Sequence, residues 1–295
     1  MTNAGASGGE LHDGLGLVEH EHCRIVEVTG SDARGWLNDL ITGPVGKLRP
    51  GRAARSLLLT PTGRIRADIT VAEAEQLILL QDRAQPHPID DLLAPYVLSS
   101  DVQLTDASER LALLSLPGVE MPPQLAEGVR AFAPSVLGPG IGLLVDRESA
   151  SRIADPLVGS FARTEEEALE RWRIALGIPR FGVDFQEGAL PAESGLEEAI
   201  DFTKGCFLGQ ESVAKVRNLG HPPRVFIALR ATGPVAAGDA VKAGDTNVGS
   251  ITSSAISPDG TLLLAVVRWE ARNDALAATG GTPLERRERW SPAQT

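Results

Sequence analysis

Apolar residues recur along this chain with two periods, and the period changes from segment to segment. "CRIVEVTG" reads as a short strand carried by Ile25, Val26 and Val28. In "SDARGWLNDLITGP", Ala33, Trp36, Leu37, Leu40 and Ile41 fall at i, i+3, i+4, i+7 and i+8, the single stripe of an amphipathic helix. Ser31 or Asp32 is placed to cap that helix, and Gly43-Pro44 to stop it. "ARSLLLTPTGRIRADITVAE" predicts two strands around the turn Thr60-Pro61-Thr62-Gly63, and "EQLILLQD" a third. "HPIDDLLAPYVLSSDV" has helical spacing at Ile89, Leu92, Leu93, Tyr96 and Val97, with a kink at Pro95. "RLALLSLPG" and "GIGLLVD" are buried-strand candidates, and "TEEEALERWRIALGIP" is the clearest helix, ended by Gly177 and Pro179. After His221 the pattern is strand-like almost throughout, with turns at Gly238-Asp239, Gly244-Asp245 and Asp259-Gly260. These elements predict an α+β protein: mixed α/β units first, then a small C-terminal β-barrel entered through the linker His221-Pro222-Pro223. "ERRERWSPAQT" reads as a frayed end, and residues 1–14 as a flexible tail rather than a signal peptide.

Composition narrows what such a chain can do. Two cysteines in 295 residues cannot form a disulfide framework, nor supply the four thiolates of a self-contained iron–sulfur cluster. A cytoplasmic location is therefore the expectation. No run approaches the roughly 18 apolar residues of a membrane span. A net charge of −11 argues against stable nucleic-acid binding, which needs a basic footprint. One local exception stands out: Lys47, Arg49, Arg52, Arg55, Arg64 and Arg66 are six basic residues with no acidic residue among them. They are either a solvated strand face or a site that attracts an anionic small molecule.

Four places carry candidate chemistry. "HEHC", His20 to Cys23, mixes metal-ligand types, yet no second cluster completes a four-ligand site, so no metal is assigned. Asp68 lies between apolar residues after a run of arginines. It is either a salt-bridged strand residue or a carboxylate that binds or deprotonates an amine-bearing ligand. Glu193, in Pro-Ala-Glu-Ser-Gly, either caps a turn or grips a planar donor–donor edge with both oxygens. Cys206, in "KGCFLGQE", follows a glycine at an apparent helix start, where backbone N–H groups and Lys204 would favour the thiolate. Free cysteines are more often buried and inert, and the residues alone favour that reading. No Walker-type loop, GxGxxG fingerprint or HExxH motif is present.

"KGCFLGQE", together with "VTGSDARGWLNDLITGPV", "LLLTPTGRIRADITV", "RWRIALGIPRFGVDF…LPAESGLEEAIDFTKGCFLGQE" and "GDAVKAGDTNVGSITSSAISP", resembles the YgfZ-type folate-binding proteins. These are relatives of the glycine-cleavage T-protein, an aminomethyltransferase. The resemblance implies three domains in a ring around a central folate cavity. They would be an α/β folate-binding region over 14–110, a second α/β region over 111–220 interleaved with it, and a barrel over 221–295. It also implies tetrahydrofolate as cofactor, with Glu193 on the pterin and Arg224, Lys204 and Gln210 in the binding set. Asp68 matches the T-protein's aspartate near the transferred group. The T-protein has an aspartate where this chain has Cys206 and a lysine where it has Gln210. The KGC version is similar instead to proteins of iron–sulfur cluster assembly or repair and of folate-linked tRNA modification. Iron–sulfur proteins or cluster-assembly factors are the implied partners, with Cys206 as the working group. A folate-dependent aminomethyl or methyl transferase using Asp68 is the alternative.

Overall fold

The computed structural model describes residues 16–119, 127–158, 163–164 and 166–291. The tail predicted over residues 1–14 lies outside them. Contacts divide the chain into two compact units, neither contiguous: Leu15–Thr164 with Ala199–Gln210, and Glu165–Glu198 with Glu211–Thr295.

The first unit runs β1 (Val18–Glu19), β2 (Cys23–Thr29), α1 (Ala33–Leu40), β3 (Ala53–Leu59), β4 (Ile65–Ala74) and β5 (Gln76–Asp82). It continues through α2 (Ile89–Leu93), β6 (Gln103–Asp106), β7 (Leu111–Pro117), β8 (Arg130–Phe132), β9 (Gly140–Asp146) and α3 (Ala150–Val158). Two antiparallel sheets result, ordered β3-β4-β5-β2-β6 and β1-β7-β9-β8. Side chains alternate across a strand, so each face of the larger sheet has its own core. Ala67, Ile69 and Val71 of β4 pack with Leu37 and Ile41 at α1 and with Ile89 and Leu93 of α2. On the opposite face, Ala72 and Ala74 join Ile25, Ile78 and Leu80 against Leu111, Leu113, Phe132 and Leu144 of the second sheet.

In the α1 stripe Ala33, Leu37 and Ile41 are buried and Trp36 and Leu40 partly so, but the start of the helix is built differently. Asp32 makes no side-chain cap. Instead the Asp101 carboxylate accepts the Ser31 N–H (3.0 Å) and hydroxyl (2.8 Å), while Asp32 accepts the Asp101 N–H (2.8 Å). Pro95 ends the next helix: α2 stops at Leu93 and a 3-10 turn covers Ala94–Tyr96. Ala199–Gln210 returns to this unit through Thr42. The Thr42 hydroxyl donates to the Ala199 carbonyl (2.7 Å), and its own carbonyl accepts the Asp201 N–H (2.9 Å).

In the second unit, α4 (Glu166–Leu176) and α5 (Gln210–Leu219) precede β10 (Arg224–Ala231), β11 (Ala240–Ala243), β12 (Thr246–Ser257), β13 (Gly260–Arg268), β14 (Leu276–Ala278) and β15 (Pro283–Arg287). These six strands form the barrel the alternation predicts, closed in the order β10-β13-β12-β11-β14-β15. Leu229, Val241, Ile251, Leu263, Ala265 and Val267 fill one core. Phe226, Ala228, Leu262 and Leu264 form another with Ile174 of α4. The predicted linker is docked onto this unit: His221 stacks on Trp269 with ring centroids 4.9 Å apart, and the Pro223 carbonyl accepts the Trp269 N–H.

The predicted frayed end is corrected over residues 285–290, while residues 292–295 lie outside the described ones. Pro283–Arg287 is a barrel strand, and Arg287 donates to the carbonyls of Ile174 and Ala175, both at 2.9 Å. Arg289 donates to Gly177 (2.9 Å), and the Trp290 N–H to Leu176 (2.8 Å). The last carbonyls of a helix have no partner within it and carry partial negative charge, which is what draws two guanidinium groups to the end of α4.

Candidate functional site

The KGC segment is held to the first unit from three directions. Lys204 Nζ donates to the carbonyls of Asn38 (2.6 Å), Ile41 (2.5 Å) and Gly43 (2.8 Å), at and just beyond the end of α1. An ammonium has three protons, and all are used. Burial lowers its pKa to about 8, against the upward pull of Asp201 and Asp39. The Leu208 N–H donates to the Asp39 carbonyl (3.2 Å), and the Leu208 side chain packs on the α1 core. Gly209 sits at φ +82° against the β3–β4 turn, where a Cβ would fall 2.5 Å from the Thr60 carbonyl oxygen. Phe207 and Gln210 close the loop reciprocally: the Gln210 N–H donates to the Phe207 carbonyl (3.2 Å), and Gln210 Oε1 accepts the Phe207 N–H (3.3 Å).

Within this frame Phe207 is buried and Cys206 is exposed. The helix start predicted at Cys206 is corrected. Helix α5 begins at Gln210, beyond the left-handed Gly209, and helix-end charge fades within one turn. The Lys204 ammonium is spent on α1. For the same reason Lys204 has no proton left for folate, and Gln210 keeps only its amide N–H groups for a ligand. Cys23 is the inert thiol: burial pushes its pKa up to about 12.

Asp68 is a strand residue of β4, opposite Leu57. Arg55 meets it with two bonds, Nε to Oδ1 (2.8 Å) and a terminal nitrogen to Oδ2 (2.5 Å). Gln85 brackets its backbone, accepting the Asp68 N–H and donating to its carbonyl. The salt-bridged alternative is thus the geometry present. The basic stretch is partly consumed in the same way, since Lys47 pairs with Asp201 (2.8 Å) and donates to Thr203 (2.6 Å). His20, of the HEHC cluster, bonds Ser115 Oγ at 2.9 Å, and burial lowers its pKa to about 4. Among the described residues no group of three or more His, Cys, Asp or Glu could hold a metal ion.

Glu193 and Arg224 both lie in the second unit, where the 3-10 turn Pro191–Glu193 packs against β10, the strand that Arg224 opens. The half-buried Glu193 carboxylate makes no hydrogen bond or ion pair to a described residue. Its loop is rigid nonetheless. Gly195, at φ +65°, lies where a Cβ would fall 2.4 Å from Arg289 and 2.6 Å from Phe226. Arg289 donates to the Gly195 carbonyl (2.6 Å) and covers the Phe226 ring at 4.8 Å. Arg224 opens β10 directly opposite Arg268 of β13. Both are exposed, and neither pairs with an acidic side chain among the described residues. With Asn247, Gly249 and Ser250 they line a cleft of about 340 Å³. Like charges directly across a sheet repel, so this pair is built at a cost that an anion would offset. Arg268 and Arg289 escaped the sequence reading, because only strand register and the docked C-terminal segment reveal them.

Comparison with known proteins adds four findings. The family model described as "GCVT N-terminal domain" matches residues 7–127. The aminomethyltransferase of Streptomyces coelicolor is 26% identical over 278 residues, covering 82% of this chain and 75% of its own. The "iron-sulfur cluster assembly factor IBA57 homolog, mitochondrial" of Mycosarcoma maydis is 27% identical over 228 residues, covering 69% of this chain and 54% of its own. In fold, the chain is similar to the glycine cleavage system aminomethyltransferase T of Bartonella henselae, with a TM-score of 0.77 and 19% identity over 94% of this chain and 86% of that one. The last of these likenesses, at 19% identity, shows the fold.

Proposed function

We propose that this chain is a YgfZ-type tetrahydrofolate-binding protein serving iron–sulfur cluster assembly or repair in the cytoplasm, and linked tRNA modification, through Cys206. The single observation that carries the reading is an exposed thiol on a loop that Lys204, Leu208 and Gly209 hold in place. A residue kept for packing would be buried, as Cys23 is. The likeness to a protein named as an iron–sulfur cluster assembly factor points the same way. The cluster is cargo here: one thiolate holds it only in passing, together with a partner's ligands.

The fit to tetrahydrofolate rests on the second unit. A half-buried carboxylate without a partner among the described residues suits the paired N–H donors of a pterin edge, and that carboxylate is Glu193. Arg224, with Arg268 beside it, suits the carboxylates of the glutamyl tail. When bound, tetrahydrofolate would supply a one-carbon acceptor.

The test is complementation of a strain lacking this gene, read as the activity of an iron–sulfur enzyme. Wild type restores it and Cys206→Ala does not. Equal rescue by both would remove the cysteine from the account. The alternative, a folate-dependent aminomethyltransferase, is favoured by the likeness to the Streptomyces enzyme and by the presence of Asp68. Its carboxylate is already engaged by Arg55, which counts against a free catalytic role. Methylenetetrahydrofolate formed from an aminomethyl donor, and lost in Asp68→Asn, would restore that reading.

A further inference from the structure

A groove of about 490 Å³ runs along α1, lined by Ser31, Asp32, Trp36, Asp39, Leu40 and Tyr96 among others, with no basic residue in its wall. Trp36 is fixed there, its indole N–H donating to the Tyr96 carbonyl at 2.8 Å. Gly35 leaves the floor open, with no atom within 4 Å of where its Cβ would lie. Leu98, between the lining residues Tyr96 and Ser100, breaks two rules at once. It is 89% exposed, and its φ is +44°. A left-handed backbone costs a leucine about 1–2 kcal/mol, and this side chain recovers nothing by packing.

We propose that this groove docks a segment of a partner protein that carries a lysine or arginine beside an apolar residue. Charge complementarity selects that occupant. A cation between Asp32 and Asp39 would meet the Trp36 ring, and an apolar neighbour would cover Leu98. A second copy of a chain with net charge −11 is disfavoured at an acidic groove. Position gives the docking a purpose. The Asp39 carbonyl accepts the Leu208 N–H, and Leu208 is two residues, at most about 7 Å of chain, from Cys206. A partner seated on α1 therefore stands beside the exposed thiol. What the partner comes for rests on the reading of Cys206, but the docking itself does not.

The probe is the labelled peptide acetyl-Ala-Leu-Arg-Leu-Lys-Ala-amide, titrated by anisotropy with the full chain at physiological salt. A control peptide carries glutamate in place of both basic residues. Wild type binds the basic peptide about ten-fold more tightly than the control. Asp39→Asn weakens binding about five-fold, the worth of one exposed charge contact. Leu98→Gly weakens it about ten-fold without lowering Tm, because glycine relieves the backbone while removing the apolar contact. Equal binding of the two peptides, or variants that bind like wild type, would overturn the proposal. So would a dimer in sedimentation that Leu98→Gly dissociates, since it assigns the groove to a second copy. No iron–sulfur activity enters these measurements, so they stand or fall separately from the complementation result.

Discussion

Replacing Lys204 with methionine should loosen the KGC loop and destabilise the first unit. Methionine keeps the apolar stem and deletes the ammonium, leaving the carbonyls of Asn38, Ile41 and Gly43 without their donor. A hydrogen bond to a charged group contributes about 1.5–3 kcal/mol. Three that share one ammonium are not independent, and burial of the charge works against them, as the lowering from 10.5 to about 8 shows. A net loss of about 3 kcal/mol follows, or a fall in Tm of roughly 6–12 °C for a unit of this size. Lys204→Arg should recover only part, because a planar fork cannot satisfy three converging carbonyls. The pH dependence has a definite sign. The folded value lies below the unfolded one, so the unfolded chain holds the proton more tightly. Stability from this group therefore rises as pH climbs from about 8 toward 10.5, and Lys204→Met removes that rise. Urea denaturation across pH measures the stability, and amide exchange at Leu208 and Gln210 measures the loop. A Tm within about 2 °C of wild type together with unchanged exchange would refute the reasoning.

Two further outcomes follow from buried groups. Asp184 accepts bonds from Arg173 (2.7 Å), the Arg180 N–H, Thr252 and Ser253, joining α4 to barrel strand β12. Asp184→Ala should cost the second unit about 3 kcal/mol in chemical denaturation, since Arg173 keeps only Glu170 as its carboxylate partner and the Arg180 N–H and the Ser253 hydroxyl lose their acceptor. His20 is lowered to about 4 from 6.5, so the unfolded chain protonates first and stability falls as pH drops across that window. His20→Gln should flatten the acid limb of the stability curve, by as much as about 3 kcal/mol.

The elements that were legible in the sequence are those whose signal is local. The α1 stripe, the turn at Thr60–Gly63 and the alternation of the barrel strands each lie within a short window, and each reappears in the structure. Neither predicted cap of α1 forms, because the Ser31 hydroxyl and the Asp32 carboxylate are both engaged by Asp101, about 70 residues away in sequence. Lys204 was misread for the same reason, its acceptors lying 161 to 166 residues away. A basic C-terminal run with turn residues looks frayed until the end of α4 supplies the carbonyls that Arg287 and Arg289 bind. Asp68 showed its type and strand but not its partner, and the diagonal reach of Arg55 across β3 and β4 decides its state. Glu193 was recognised from its loop, while the lock on that loop, Arg289 over Phe226, was not.

The central claim is that Glu193 and Arg224, neither of which meets an oppositely charged side chain among the described residues, hold tetrahydrofolate. Anaerobic titration calorimetry of the full chain with tetrahydrofolate, on wild type and Glu193→Ala, tests it most directly. The account predicts saturable binding by wild type, weakened about 10- to 100-fold in the variant, the worth of one bidentate charge-assisted contact. No heat of binding with wild type, or equal affinity in both proteins, would contradict it.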